Sequence, residues 1–217
     1  MFDVNETLTD MSPLRARLVE VGASGGVFDA WFAATLRDGF AVTAAGGYAE
    51  FADIARHTLT GLLALRPGAA DPEQAAAHVL AGLPELEVHP DVNEGLWMLH
   101  DAGVRLVTLT NGASALSDGP LRRAGVIDLF EARLSVADIG RWKPAADSYA
   151  YAARVVGEPP GRLALIAVHP WDVDGAARAG LTAAWLNRSG AVYPPYMKPP
   201  VVTAPTLDAL ARQLLAG

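Results

Sequence analysis

Residues 163–187, LALIAVHPWDVDGAARAGLTAAWLN, carry the reading that decides the fold. Leu163 to Val168 is a short, wholly apolar run and predicts a buried strand. Asp172 to Ala179 predicts a helix closed by Gly180, and Thr182 to Leu186 predicts a second strand. Moving upstream, Ala145 to Val156 reads as a helix stopped at Gly157, with Pro159 and Pro160 beyond it. Ala132 to Val136 is a weaker strand, and Ala115 to Ala124 a helix ending at Gly125. Val104 to Thr110 is a strand, and the helix before it opens at Pro90, presents Val92, Leu96, Met98 and Leu99, and closes at Gly103. Strands alternating with helices at this spacing imply βαβ units and a parallel sheet.

Residues 12–87 have a different texture. Ser12-Pro13 predicts a helix start, with Ser12 as the N-cap. Val27, Phe28, Trp31, Phe32, Thr35 and Leu36 follow helical spacing, as do Phe51, Ile54, Ala55, Thr58, Leu59, Leu62 and Leu63. Asp71-Pro72 is another start signal, and Gln74 completes a capping-box pattern. The expected organisation is an α/β core of residues 1–11 and 88–217, with a helical lobe of residues 12–87 inserted after the first strand. That strand is short, because only Met1 and Phe2 precede Asp3 where a central strand usually has ~5 residues; either it is truncated or the natural start lies upstream. The proline-rich tail, Tyr193 to Pro205, is expected to run extended over the surface, with Leu207 to Ala216 as a closing helix.

The 217 residues are 51% hydrophobic and 19% charged, which fits a folded chain with a sizeable core. Lys and Arg total 17 against 24 Asp and Glu, a net charge of −7. Such an acidic chain is an unsuitable partner for nucleic acid, and any site for an anion must bring its own positive groups. There is no cysteine, so disulfides, thiolate metal sites and cysteine nucleophiles are excluded. No apolar stretch is long enough to cross a membrane, and the acidic N-terminus is no secretory signal. A cytoplasmic protein without membrane association is expected.

In an open α/β sheet, ligands bind beyond the carboxyl ends of the strands. Those ends carry Asp3-Val4-Asn5-Glu6-Thr7, then Thr110-Asn111-Gly112, then Lys143-Pro144, then His169-Pro170-Trp171-Asp172. A carboxylate, a hydroxyl–amide pair, an ammonium and a His/Asp pair thus meet at one edge. His57, His78, His89 and His100 are isolated, without metal-ligand spacing, and receive no role.

This set resembles the haloacid dehalogenase superfamily. Asp3 and Thr7 match its Asp-x-x-x-Thr motif, Thr110 its strand-end Ser or Thr, Lys143 its lysine, and Asp172 its final acidic motif. Within the superfamily the chain is most similar to the type II L-2-haloacid dehalogenases. Thr110-Asn111-Gly112 stands at their Ser-Asn-Gly, and Lys143-Pro144 with Tyr149 at their Lys-Pro and Tyr. Trp171-Asp172, Gly175 to Gly180 and Trp185 to Gly190 follow their last segment.

The resemblance implies a Rossmann-like sheet with a helical cap, and hydrolysis of small 2-halo carboxylic acids without a metal. Asp3 would attack C2 of the acid, displace halide and form an aspartyl ester. Lys143 and Thr7 would hold Asp3, while Thr110 and Asn111 bind the substrate carboxylate or the halide. Asp172 and His169 would position water, and Asn5, Trp31, Phe32, Trp171 and Tyr149 would line the site. The resemblance also implies a homodimer.

Departures from the superfamily's phosphatases bear on the chemistry. They use an acid two residues after the nucleophile, where this chain has Asn5, and an amide is no general acid. They hold Mg²⁺ with an acid four residues before Asp172, where this chain has Val168, which cannot ligate a hard cation. A departing halide needs neither. Against this, the dehalogenases' cap arginine is replaced by Phe32, with Arg37 an imperfect stand-in, and their Asn is replaced by His169. The alternatives are a Mg²⁺-dependent small-molecule phosphatase, or a weakly active member that binds small acids.

Overall fold

The computed structural model describes residues 1–65 and 71–216. The expected helical run of 12–87 therefore has its 66–70 portion outside the described residues, as is Gly217 at the chain's end. In chain order the elements are α1 (Pro13–Glu20), α2 (Val27–Ala44), α3 (Phe51–Ala64), α4 (Pro72–Leu80), α5 (Val92–Asp101), β1 (Leu106–Thr110) and α6 (Ser114–Arg123). There follow β2 (Phe130–Ser135), α7 (Ala146–Val156), β3 (Ala164–Ala167), α8 (Pro170–Arg178), β4 (Thr182–Leu186), β5 (Val202–Ala204) and α9 (Leu207–Ala216).

β1 pairs with β2, and β3–β4–β5 form a second set, all parallel. Met1 to Asp3 lies between the two sets. Phe2 N–H donates to the Val107 carbonyl and its own carbonyl accepts from Leu109 N–H, both at 2.8 Å. On the other side Asp3 N–H donates to the Ile166 carbonyl and Ile166 N–H to the Met1 carbonyl. The first strand is as short as the sequence predicts: Phe2 bridges Thr108 on one side and Ile166 on the other. Asp3 therefore leaves the middle of the sheet at its carboxyl edge.

Strand residues alternate between two cores, as a period of two requires. Val107, Leu109, Leu165, Ala183 and Trp185 face a core shared with α1–α4, α7 and α8. Leu106, Ile166, Ala184 and Leu186 face one shared with α5, α6 and α9. The helices α1–α4 pack chiefly on one another, with Phe28, Trp31, Ala55, Leu59, Leu63 and Val79 inside. α7 ends at Gly157, whose φ of +72° is the left-handed stop that glycine adopts without strain.

Several boundaries differ from the sequence reading. β2 begins at Phe130, which pairs with Leu106 of β1 and packs edge-on against Phe2. α8 begins at Pro170, where a proline at the first helical position needs no N–H partner. Ser12 does not cap α1; its N–H and hydroxyl both donate to the Asp10 carboxylate. Asp71 does cap α4, accepting from Gln74 N–H at 3.0 Å. The tail is not wholly a surface strap: Val202 to Ala204 adds a parallel strand beside β4, with Ala204 buried. No described helix is long and apolar enough to cross a membrane.

Candidate active site

The carboxyl ends of Met1–Asp3, β1 and β3, and the loop after β2, deliver their side chains to one buried cluster. The Asp3 Oδ1 accepts from Lys143 Nζ at 2.9 Å, and Asp3 Oδ2 accepts from the Thr7 hydroxyl at 2.6 Å. His169 Nδ1 lies 3.2 Å from that same Oδ2. Lys143 Nζ also donates to Asp172 Oδ2 at 2.6 Å, so one ammonium joins two carboxylates. Tyr149 closes the far side, its hydroxyl donating to Asp172 Oδ1 at 2.6 Å. Lys143, Asp172 and Tyr149 are fully buried, and Asp3 is 4% exposed.

Burial alone would push the Asp3 carboxyl up; the Lys143 ammonium, with His169 and Thr7, holds it well below the usual carboxylate range. Asp3 is therefore ionised at neutral pH. Burial would strip Lys143 of its proton, but Asp172 and Asp3 hold it above its ordinary value. Asp172 moves up, because it is deeper and also feels the Asp3 charge. Burial and the adjacent Asp172 push the Tyr149 hydroxyl far up, so it stays a donor.

His169 forms the second flank. Its Nε2 lies 3.0 Å from Glu6 Oε2, so the imidazole bridges two carboxylates. Burial lowers its affinity for a proton, but the bonds to Asp3 and Glu6 override that and raise it to about 9. At neutral pH it is an imidazolium donating to both. Its ring lies between Trp171, stacked at 5.1 Å, and Phe32 at 5.8 Å. Glu6 has φ of +60°, a left-handed conformation that costs a non-glycine residue about 1–2 kcal/mol. That strained turn places the Glu6 carboxylate on His169, and its carbonyl lies 3.0 Å from His89 Nε2. Glu6, Arg15, Phe28, His89, His169 and Arg188 are among the residues lining a cavity of about 320 Å³. Asn5, Thr110, Gly112 and Phe51 are among those lining a second of about 20 Å³, room for about one water.

The structure gathers Asp3, Thr7, Lys143, Asp172, Tyr149, His169, Trp171 and Phe32 into one cluster, with Asn5 and Thr110 at the small cavity. Three of the expected roles change. Trp31 does not reach the site: it is buried within the helices, its Nε1–H donating to the Ala55 carbonyl at 2.8 Å. Asn111 spends its amide on the Lys143 backbone, accepting its N–H at 2.8 Å and donating to its carbonyl at 3.1 Å. Asn111 thus holds the lysine rather than a ligand. Asp172 has both oxygens engaged by Lys143 and Tyr149, so it anchors the ammonium instead of orienting water. Arg37 pairs with its neighbour Asp38 in solvent and is no substitute for a cap arginine. Glu6 and His89 were not expected. Glu6 sits in the first motif, three residues after Asp3, and an acid in that turn was the available signal; His89 shows none.

The donor set does not suit a divalent cation between Asp3 and Asp172, because the Lys143 ammonium bridges them there. Val168 offers no side-chain oxygen, and its carbonyl accepts from Trp185 Nε1 at 2.8 Å. Among the described residues no cluster of three or more His, Asp or Glu is placed to hold a metal.

Comparison with known proteins identifies the family. The profile of the haloacid dehalogenase-like hydrolases matches residues 1–180. (S)-2-haloacid dehalogenase 4A of Burkholderia cepacia is 28% identical over 193 residues, covering 88% of this chain and 83% of the relative. Haloacetate dehalogenase H-2 of Moraxella sp. (strain B) is 30% identical over 125 residues, 58% of this chain and 56% of that protein. The aligned stretch thus spans little more than half of the Moraxella relative. Among solved structures, L-2-haloacid dehalogenase from Xanthobacter autotrophicus with chloropropionic acid covalently bound superposes with a TM-score of 0.82. It has 25% identity and covers 99% of this chain and 96% of that one. A dehalogenase with an intermediate complex reaches a TM-score of 0.89 at 25% identity, covering 98% and 94%.

Proposed function

The chain belongs to the haloacid dehalogenase-like hydrolases, and we propose that it hydrolyses the carbon–halogen bond of a small 2-halo carboxylic acid through an ester on Asp3, without a metal. The observation that carries this is the Lys143 ammonium bound between Asp3 and Asp172 at 2.9 and 2.6 Å. It keeps Asp3 anionic and aimed, while Asn5 and Val168 offer neither the general acid nor the hard-cation ligand that the family's phosphatases use at those positions. The names of the Burkholderia and Moraxella relatives point to 2-haloacids and haloacetate as the substrate class.

In the first half-reaction an Asp3 oxygen attacks C2 in line with the halogen. The new carbon–oxygen bond forms as the halide leaves with the bonding pair, inverting C2. Residues 12–87 act as a cap over a core of 1–11 and 88–217. Phe32 over His169, and Phe40 against Trp171 at 5.0 Å, keep bulk water from this step.

Esterification removes the Asp3 charge, and His169 loses one of the two partners that hold its proton. That proton leaves with the halide toward solvent. His169, still oriented by Glu6, then accepts a proton from a water on the cavity side. The resulting hydroxide adds to Cγ of Asp3, and the Cγ–O bond to the substrate breaks. The departing alkoxide takes the carboxyl proton, yielding the 2-hydroxy acid and free Asp3, with His169 protonated again. Lys143 and Asp172 hold the carboxyl frame throughout.

Single turnover in H₂¹⁸O tests the reading: one labelled oxygen is expected in the peptide bearing Asp3, and turnover of 2-chloropropionate or chloroacetate should persist in EDTA. Label passing straight into product, or loss of activity on chelation, overturns it.

A further inference from the structure

Trp142 immediately precedes Lys143 and is only 1% exposed. Its indole is held by the helices rather than by the sheet. It stacks on Phe51 of α3 at 5.9 Å with planes 26° apart, and its Nε1–H donates to the Ala49 carbonyl at 3.0 Å. The Trp142 backbone N–H donates to the Thr43 hydroxyl at 3.3 Å. On α2, Gly39 leaves the space the ring fills: a Cβ there would lie 2.3, 2.4 and 2.6 Å from three of its carbons. The ring is rigid and fixed on two sides, so it cannot yield cheaply. One residue on, Asn111 clamps the Lys143 backbone from the sheet side.

The Lys143 ammonium has to satisfy Asp3 and Asp172 together. A lysine side chain is long and flexible, so its tip is fixed only if its backbone is fixed. Asn111 fixes that backbone against β1, and Trp142 fixes it against α2 and α3. We propose that Trp142, seated over Gly39, is a positioning residue for Lys143, so that the packing of α2 and α3 sets how the ammonium meets Asp3. The proposal rests on the reading of Asp3 and Lys143 as the reacting carboxylate and its holder.

Gly39→Ala is the direct test. Inside a helix this change ordinarily stabilises, so a defect reports the clash with Trp142. A displacement of about 1 Å at the ammonium should lower kcat about 100-fold, with KM little changed. The groups facing Asp3 are Lys143, His169 and Thr7, with Asp172 and Tyr149 behind Lys143 and Glu6 behind His169. A weakened Lys143 contact therefore moves the acid limb of the kcat–pH profile to higher pH. Adding Trp142→Phe, whose smaller ring tolerates the new methyl, should restore most of kcat and return the limb. Trp142→Phe alone, losing the Ala49 bond, should move the limb slightly in the same direction as Gly39→Ala. Lys143→Met separates the two levels. If it keeps full turnover, the reading of the site fails. If it is inactive while Gly39→Ala has wild-type kcat and acid limb, or the double variant recovers nothing, the positioning role is overturned and the reading stands.

Discussion

The two flanks of Asp3 are built on opposite plans. On one side Lys143, Asp172 and Tyr149 form a sealed network in which each charge is matched and each named oxygen is engaged. On the other, His169 and Glu6 lie on the wall of the larger cavity, where a proton can come and go. A permanent charge belongs in the sealed flank, since nothing there has to change during turnover. A group that alternates between acid and base has to touch solvent. On the proposed reaction, the contrast teaches that Asp3 is served by a fixed electrostatic frame and by a titrating arm, and the two should respond differently to perturbation.

The largest separation should come from His169→Ala. Loss of a general base lowers kcat by about 10²–10⁴-fold, yet Lys143 still supports halide displacement. A stoichiometric burst of halide with protein trapped as the Asp3 ester, seen by intact mass, is expected. Loss of the burst along with turnover would show that the flanks are not separable.

Stability against pH should report the titrating arm next. The folded-state value of His169 is raised from 6.5 to about 9, so its contribution is complete below 6.5 and is lost as pH rises through about 9. By linkage this amounts to about 3 kcal/mol. Lys143, raised above its ordinary 10.5, has not begun to titrate in that window. Asp3 acts in the other direction, its depressed value adding stability above the ordinary carboxylate range that is lost in strong acid. Burial lowers the Met1 ammonium from 8.0 to about 5 and also lowers His89, so both act in the opposite sense below about pH 8. The His169 share is therefore read as a difference: the gap in urea midpoint between wild type and His169→Gln should close as pH rises from 6 through 8 to 10.

Tyr149→Phe probes the sealed flank. It leaves Asp172 Oδ1 buried without its donor, at a cost of about 2 kcal/mol. Thermal melts should show that loss while kcat stays close to wild type. A collapse in kcat with an unchanged melt would give Tyr149 a part in the chemistry.

The smallest effect isolates the strained turn. Glu6→Gly and Glu6→Ala both remove the carboxylate from His169 and should lower kcat alike. Only glycine relieves the φ of +60°, so Glu6→Gly should be more stable than Glu6→Ala by about 1 kcal/mol. Equal stabilities would show that the turn carries no strain.

What the sequence disclosed follows from the range of each interaction. The apolar runs around 104–110, 163–168 and 182–186 appear as β1, β3 and β4, because burial on both faces leaves a local signature. β5 leaves no local strand signature, because Pro199, Pro200 and Pro205 bracket it and dominate the local composition. Asp3, Thr7, Lys143 and Asp172 were legible as motif residues at strand ends. Their division of labour was not. That Asn111 is consumed by the Lys143 backbone, or that Asp172 is sealed by Tyr149, depends on contacts between distant segments. Glu6 was hidden for the same reason, since its partner His169 lies 163 residues away. Trp31 carried a helical-face signal that suits packing and site lining equally, and packing claimed it.

The Arg188 guanidinium donates to the Thr7 carbonyl at 2.9 Å and to both oxygens of Asp91 at 2.8 Å. That same Asp91 carboxylate accepts the first N–H of α9, at Leu207. The α9 segment is thereby moored to the turn that follows Asp3. Anyone splicing a tag, a linker or a second protein close to α9 is working on the foundations of the Asp3 cluster and not on a spare tail.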